Sequence, residues 1–202
     1  MASGQAALPV QKRAWDTRER ILDAAVTCLA EHGYAATTTS RIQERAGVSR
    51  GSLLHQFPAR DDLLIAAVQH LAQQWTNSSP AEEGGGQVSI DEAVEILWAS
   101  FQGTLFRAAL QLWAAADHRP ELAAALRPRE RELGMRIRAV IAERFGPECA
   151  AHPLFEDLTR TLLSSMRGVA LTHTFQARDH ERDPNLPGWK RLAHHVLESS
   201  TD

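Results

Sequence analysis

The sequence predicts an all-α protein, and three observations predict it. Apolar residues recur at helical spacing along most of the 202 residues. Hydroxyl or carboxylate residues precede several of these runs, and glycine or proline follows them, as at helix ends. No segment shows sustained period-two alternation bounded by turn dipeptides, so no sheet is expected. With 44% hydrophobic and 23% charged residues, the composition is typical of a folded globular protein.

Four helices are predicted in the first third of the chain. Each has a capping residue before its apolar run, and the first three have a helix-terminating residue after it. The first helix has an N-cap at Asp16 or Thr17 and a C-cap at Gly33, and the second has hydroxyl caps at residues 37–40 and an end at Gly47. The third helix has a cap at Ser49 and stops at Pro58, and the fourth starts at Asp61 and Asp62.

A second group of helices follows a turn-forming stretch, NSSPAEEGGGQV, at residues 77–88. Ser89 or Asp91 caps the first of them. Pro120 and Pro128 are expected to interrupt the helical pattern. A further run ends at Phe145, before GPECAAHP, and residues 154–175 and 189–197 form the last two helices. We predict a domain of residues 1–60 and a helical domain of residues 61–202.

Composition and charge limit the classes of function. No stretch approaches the roughly 18 apolar residues of a membrane span, and the first residues lack a secretory signal, so a cytoplasmic protein without membrane contact is expected. Cys28 and Cys149 are expected to be free thiols. Residues 1–60 carry eight Lys or Arg against five Asp or Glu, although the whole chain has a net charge of −3. The N-terminal part is therefore the better candidate for an anionic partner.

Neither a metal site nor a catalytic motif is predicted. Adjacent His194 and His195 point in different directions on a helix, and Cys149 with His152 forms only a lone C-x-x-H. The chain lacks H-E-x-x-H, G-x-S-x-G, dinucleotide G-x-G-x-x-G and Walker motifs. We expect no cofactor, no metal and no enzymatic activity.

The segment from Thr38 to Phe57 has the pattern of a helix-turn-helix. A short helix anchored by Ile42 and Ala46 is followed by a tight turn and a second short helix anchored by Leu53 and Phe57. Small and polar side chains occupy the rest of the second helix, as is required where a helix enters the major groove of DNA.

This part of the chain resembles the tetracycline-repressor (TetR) family of bacterial transcriptional regulators. The resemblance lies in RERILDAAVTCLAEHGY at 18–34, the threonine cluster, IQERAGVSRGSLLHQF at 42–57 and PARDDLL at 58–64. It covers about the first third of the chain, and only helix number and length are similar beyond it. The family implies an N-terminal helix-turn-helix domain, a C-terminal domain for a small-molecule effector and for dimerisation, and binding to operator DNA.

The resemblance also implies roles for individual residues. Arg50 suits a bidentate contact to guanine or a phosphate, and Gly51 permits close approach of the backbone. The family usually has an aromatic residue where this chain has Leu54, which either contacts a thymine methyl group or covers the helix surface. The residues implied to hold phosphates are Thr38, Thr39, Arg41 and Arg60, and those implied to face the groove are Ser49, Arg50, Gly51, Ser52, Leu54 and His55.

Effector and dimer residues are predicted from helical stripes in the C-terminal part. Most aromatic residues there will form core, while some are expected to line an apolar cavity. The candidates for the effector site are Trp98, Phe101, Phe106, Trp113, Met166 and His173. The candidates for the dimer interface, on the last two helices, are Leu158, Leu162, Ser165, Met166, Val169 and Leu197.

The helix-turn-helix pattern predicts a homodimer that binds an inverted-repeat operator, and the family resemblance implies a repressor that is released by a small apolar or aromatic effector. Two alternatives stay open. One is a DNA-binding protein without an effector, and the other is a helical enzyme that has kept a degenerate helix-turn-helix.

Overall fold

The computed structural model describes residues 10–77, 88–176 and 179–199, and within these ranges it is built from helices without a strand. This confirms the all-α prediction. Most of the predicted connection at 77–88 lies outside the described residues. The α-helices are α1 (Val10–Ala36), α2 (Thr39–Ala46), α3 (Arg50–Gln56), α4 (Arg60–Asn77), α5 (Ile90–Ala99), α6 (Thr104–Asp117), α7 (Pro120–Ala150), α8 (Phe155–His173) and α9 (Leu186–Leu197). Short 3₁₀ turns cover Ser100–Gln102 and His180–Arg182.

The chain divides into two compact units that are not each continuous in sequence. The N-terminal unit contains the described residues up to Leu71 together with Ala108–Leu126. The C-terminal unit contains Ala72–Arg107 and the described residues from Arg127 onward. A single boundary after residue 60, as predicted, does not describe this division. Hydrophobic periodicity shows which face of a helix is buried but not which helices it packs against.

Most helix ends coincide with the predicted caps. Ser89 caps α5 in a reciprocal capping box with Glu92, and backbone nitrogen and hydroxyl of Ser89 both donate to the Glu92 carboxylate, at 3.0 and 2.7 Å. Helical geometry is broken at Gly33 (φ 77°, ψ 170°), where a C-cap was predicted, and at Gly146 (φ 83°, ψ 164°), the first residue of GPECAAHP.

Two predicted boundaries are wrong. Helix α1 begins at Val10, upstream of the predicted cap at Asp16, so Asp16 lies within the helix. Helix α7 runs through Pro128 without ending there. Pro120 opens the helix, where a missing N–H leaves no intrahelical bond unmade, but Pro128 lies in the helix interior, where it removes one i→i−4 hydrogen bond without ending the helix.

The C-terminal unit is organised around an aromatic cluster. The Trp98 ring lies 4.9 Å from the Trp189 ring and 5.6 Å, edge to face, from the His173 ring, measured between centroids. Trp98 donates its indole N–H to the His180 carbonyl at 2.8 Å. His173 Nε2 lies 3.0 Å from Oδ2 of the fully buried Asp183. Trp98 Nε1 and His173 Nε2 are thus hydrogen-bonded inside the core, whereas His173 Nδ1 has no hydrogen-bond partner among the described residues.

This arrangement locates the predicted effector residues. Trp98, Phe101, Phe106 and Met166 are buried, and His173 is nearly so. Trp113 belongs to the N-terminal unit instead and is half-buried. Their assignment to an effector site stays a prediction.

Three predicted dimer residues are core residues of the protomer. Leu158, Leu162 and Met166 are each at most 4% exposed. They cannot form an outward face, and the prediction is wrong for them. A stripe of large apolar residues looks the same in sequence whether it faces the protomer core or a second subunit. Of the other three, Ser165 is exposed, and Val169 and Leu197 are half-buried.

No helix within the described ranges is both long and apolar enough to cross a bilayer.

Replacing Gly47 with alanine is expected to destabilise the N-terminal unit by about 1–2 kcal/mol, because Gly47 has a left-handed backbone (φ 62°) that a Cβ penalises. The new Cβ would also lie 3.0 Å from Nη2 of Arg20. Urea unfolding followed by circular dichroism measures the change. Gly51→Ala is the control, since its Cβ would meet nothing closer than 4.0 Å within a helix. Equal effects of the two substitutions would contradict the backbone argument.

Candidate nucleic-acid interface

Helices α2 and α3 form the predicted helix-turn-helix, and side-chain caps fix where each begins. The Thr38 hydroxyl accepts a hydrogen bond from the Arg41 backbone N–H at 3.2 Å. The Ser49 hydroxyl accepts one from the Ser52 backbone N–H at 3.1 Å. Left-handed Gly47 lies between the helices and donates its N–H to carbonyls in the last turn of α2. These local interactions confirm the predicted caps.

A small set of apolar anchors holds one face of each helix against the N-terminal unit. Ile42 and Ala46 are buried on α2, and Leu53 is the buried residue of α3. Phe57 follows α3 and is 5% exposed, with the Arg18 guanidinium 4.5 Å above its ring. With its apolar side fixed in this way, α3 has a defined outward side.

The outward side of α3 carries the residues predicted to face the groove. Ser49, Arg50, Gly51 and His55 are exposed, and Ser52 is half-buried. Leu54 is 39% exposed, so its side chain is accessible for contact rather than buried. Gly51 leaves open space next to the backbone, since a Cβ there would meet nothing nearer than the Ser49 hydroxyl. The outward surface of α3 is polar, and no side chain projects from it at Gly51.

The arginines of this region differ in how they are held. Within the described part of the chain, Arg50 makes no hydrogen bond or ion pair, so its guanidinium is available to a partner. Arg41 is exposed and donates from Nη1 to the Ala36 carbonyl at 2.6 Å. Arg45 makes a two-pronged pair with Glu31, at 2.5 and 3.0 Å. Thr38 and Thr39, also predicted to hold phosphates, are exposed and half-buried, respectively.

Arg60 is bound inside the N-terminal unit. Its Nε donates to the Thr37 carbonyl at 2.7 Å, Nη2 donates to the Tyr34 carbonyl, and Nη1 lies 3.3 Å from Asp61 Oδ1. The guanidinium also stacks on the Tyr34 ring, 4.2 Å from its centroid. All three nitrogens are therefore used within the protein. This geometry favours a positioning role for Arg60 over the predicted phosphate contact.

Tyr34 extends this cluster. Its hydroxyl donates to Asp61 Oδ1 at 2.7 Å and accepts from Arg119 Nη1 at 3.2 Å. Burial, followed by the hydrogen bond to Asp61, raises the pKa of Tyr34, so the phenol stays neutral and keeps its proton for Asp61. Residues of α1, α4 and the α6–α7 turn thus brace the segment that leads into α2.

Arg20 is a second positioning residue, which holds the end of α2 and the following turn, and the sequence pattern does not predict it. From α1 it donates through Nη2 to the Ala46 carbonyl and, at 3.0 Å, to the Gly47 carbonyl. These carbonyls belong to the turn between α2 and α3. Because the acceptors are backbone atoms, no residue pattern in the sequence marks the interaction.

Comparisons with known proteins agree with this site. The sequence profile described as "Bacterial regulatory proteins, tetR family" matches residues 21–67, which include α2 and α3. The HTH-type transcriptional regulator CymR of Pseudomonas putida is 31% identical over 182 residues, covering 85% of each chain. The HTH-type transcriptional repressor AcnR of Corynebacterium glutamicum is 41% identical over 51 residues, covering 25% of this chain and 27% of its own. These relatives are transcriptional regulators rather than enzymes, which confirms the prediction that the chain is not an enzyme.

Solved structures share the fold. A TetR-family transcriptional regulator from Rhodococcus sp. superposes with a TM-score of 0.66 at 21% identity, covering 90% of this chain and 99% of that one. The multidrug binding protein EbrR complexed with ethidium superposes with a TM-score of 0.63 at 22% identity, covering 89% and 97%. Taken with the relative that matches along 85% of both chains, the capped and anchored helix-turn-helix shows that this chain belongs to the TetR family of bacterial transcriptional regulators.

Proposed function

We propose that the protein is a repressor that binds an inverted-repeat operator as a homodimer and is released by a small effector. The observation that carries the proposal is the outward side of α3, where the Arg50 guanidinium has no partner among the described residues and lies among small polar residues. Arginine at such a position supplies two parallel donors that match guanine O6 and N7. The repressor named among the relatives supports repression as the outcome of binding.

Dimerisation is supported by the shortness of α3. A helix of seven residues reads few base pairs, so two copies on successive major grooves, roughly 34 Å apart, provide the specificity that one copy lacks. An inverted repeat follows, because the two-fold symmetry of a homodimer is mirrored in its site.

The outer side of α8 is our candidate for the dimer surface. Gly168 and Leu171 lie there three residues apart, and Phe175 follows just after the end of the helix; all three are exposed, with Leu171 at 50% and Phe175 at 72%. A Cβ on Gly168 would meet no atom within 4 Å in the protomer, so a second helix has room to approach. Leu192 of α9, 38% exposed, adds a further apolar side chain to the surface of the last two helices. An exposed apolar patch of this kind is typical of an interface.

Gly168→Arg is expected to shift the protein from dimer to monomer, raising the dimer dissociation constant by about tenfold or more, because the interface would bury an unpaired charge. Sedimentation equilibrium measures the mass. Met135→Arg, at a residue of α7 that is 59% exposed, is the matched control and should leave the mass unchanged. A Gly168→Arg protein that stays dimeric would remove α8 from the interface.

Effector release is supported by the architecture of α4 and by one structural neighbour. Helix α4 begins at Arg60, which braces the entry to α2, and ends at Asn77 in the C-terminal unit. A ligand that contacts its far end and prefers the DNA-incompetent geometry would weaken operator binding. EbrR, which shares the fold, has been crystallised with ethidium, a small aromatic molecule.

Selection of bound duplexes from a random pool tests the proposal. We expect the recovered sequences to contain an inverted repeat, with binding that weakens steeply as salt is raised. Two chains should bind each repeat in a mass measurement of the complex. Recovery of single half-sites, or equal affinity for all duplexes, would contradict the homodimeric operator-binding protein proposed here.

A further inference from the structure

A cavity of about 290 Å³ lies within the C-terminal unit, between the end of α4, the middle of α5 and the end of α7. Its volume is at the lower end of the range for small-molecule sites, which suits a ligand of one or two rings. Trp75, Ile96, Leu97, Val140 and Phe145 contribute apolar surface, and among the described lining residues Arg144 contributes the single charged side chain. The cavity is thus an apolar site with one positive charge.

Arg144 has an unused donor in this cavity. Its Nε is buried and has no hydrogen-bond partner among the described residues, and it forms no ion pair with any carboxylate there. Glu148, four residues on, would be its usual helical partner, but the helix geometry breaks at Gly146 between them. A buried, unpaired guanidinium N–H is unfavourable in the empty protein and gains a partner when a ligand supplies an acceptor.

The other polar group of the lining is also a donor. Trp75 offers only an indole N–H, and arginine has five N–H donors and no acceptor. The remaining lining side chains are hydrocarbon. A ligand that satisfies this lining presents acceptors without donors at one end and an apolar body at the other.

We propose that the effector of this protein is a small organic anion, such as an aromatic carboxylate, whose charged group pairs with Arg144 and whose body fills the apolar part of the cavity. This inference rests on the proposed function and names the ligand class for it. A guanidinium and a carboxylate form two parallel charge-assisted hydrogen bonds, which are stronger when shielded from water. A cationic ligand would face the Arg144 charge in the same cavity and is excluded by it.

Three naphthalene derivatives test the ligand class: naphthoate, naphthamide and naphthylmethylammonium, which share the naphthyl body and carry a negative, a neutral and a positive polar group at neutral pH. Calorimetric titration into the DNA-free protein is expected to show naphthoate binding at least about tenfold more tightly than naphthamide, with no heat from the ammonium ion. Naphthoate should also release a bound operator duplex. Equal binding of naphthoate and naphthamide, or naphthoate binding without release, would overturn the proposal.

Variants at Arg144 test the residue. Arg144→Met should remove the preference for naphthoate over naphthamide, and should weaken naphthamide binding much less than naphthoate binding, because the neutral amide lacks the charge-assisted pairing. Arg144→Lys keeps the positive charge but lacks the planar, two-donor geometry of the guanidinium, so it should retain part of the preference for naphthoate over naphthamide. An Arg144→Met protein that still prefers naphthoate would contradict the assignment. Failure of this proposal is distinguishable from failure of the proposed function. Operator binding without ligand is measured independently, and a neutral or cationic effector would contradict the anionic ligand while leaving the repressor function intact.

Discussion

Replacing Arg60 with methionine is expected to destabilise the N-terminal unit by about 2–4 kcal/mol, because hydrogen bonds from a charged group each contribute about 1.5–3 kcal/mol. Arg60 is a quarter exposed and binds the carbonyls of Thr37 and Tyr34 as well as the Asp61 carboxylate. Methionine keeps much of the apolar stem but leaves both carbonyls without this donor. Urea unfolding followed by circular dichroism measures the loss, with the urea dependence compared between wild type and variant.

Arg41→Met is the matched control for this prediction. The Arg41 side chain is exposed and makes one hydrogen bond among the described residues, to the Ala36 carbonyl, so its loss should change stability by less than about 1 kcal/mol. The two arginines also separate positioning from phosphate binding. The contrary result is an Arg60→Met protein of unchanged stability that binds the operator more weakly and whose slope of log affinity against log salt concentration is smaller by about one. That result would support the phosphate contact that the family resemblance implies.

The contrast between Arg60 and its neighbours shows what the sequence could predict at this site. The caps at Thr38 and Ser49 and the turn at Gly47 are local, since each depends on side chains and backbone within a few residues. Arg60 and Arg20 also bind backbone carbonyls more than twenty positions away, and every residue has a carbonyl. No residue type marks such an acceptor. The sequence therefore indicates Arg60 as a basic residue next to the helix-turn-helix, but it does not indicate the residues that Arg60 binds.

The same reasoning explains the errors in the C-terminal part. Helical periodicity correctly predicted that α8 has one apolar stripe, and Leu158, Leu162 and Met166 all lie on it. The stripe faces the protomer core, however, and the exposed apolar residues are Leu171 on another side of the helix and Phe175 just after its end. Arg144 carried no signal either, since one arginine in a long charged helix looks like a solvated residue. Its significance depends on the apolar neighbours that the fold brings to it.

Arg50→Ala is expected to weaken operator binding by about 1–3 kcal/mol, or roughly 5- to 150-fold, while leaving the free energy of unfolding within about 0.5 kcal/mol of wild type. The reason is that Arg50 is exposed and makes no hydrogen bond or ion pair within the described residues, so truncation removes nothing from the fold. Fluorescence anisotropy with a labelled operator measures the affinity. Arg45→Ala removes the same charge from a residue already paired with Glu31 and serves as the control.

A lysine at position 50 distinguishes the two ways in which Arg50 could contact DNA. A phosphate contact needs mainly positive charge, so Arg50→Lys would keep most of the affinity and the same preference among operators. A bidentate contact to guanine needs the planar fork, so the lysine variant would lose affinity for the selected operator and discriminate less at one base pair. We expect the second result, because Arg50 opens α3 and the first residues of a recognition helix lie nearest the base edges. An unchanged isotherm for both variants would remove Arg50 from the interface.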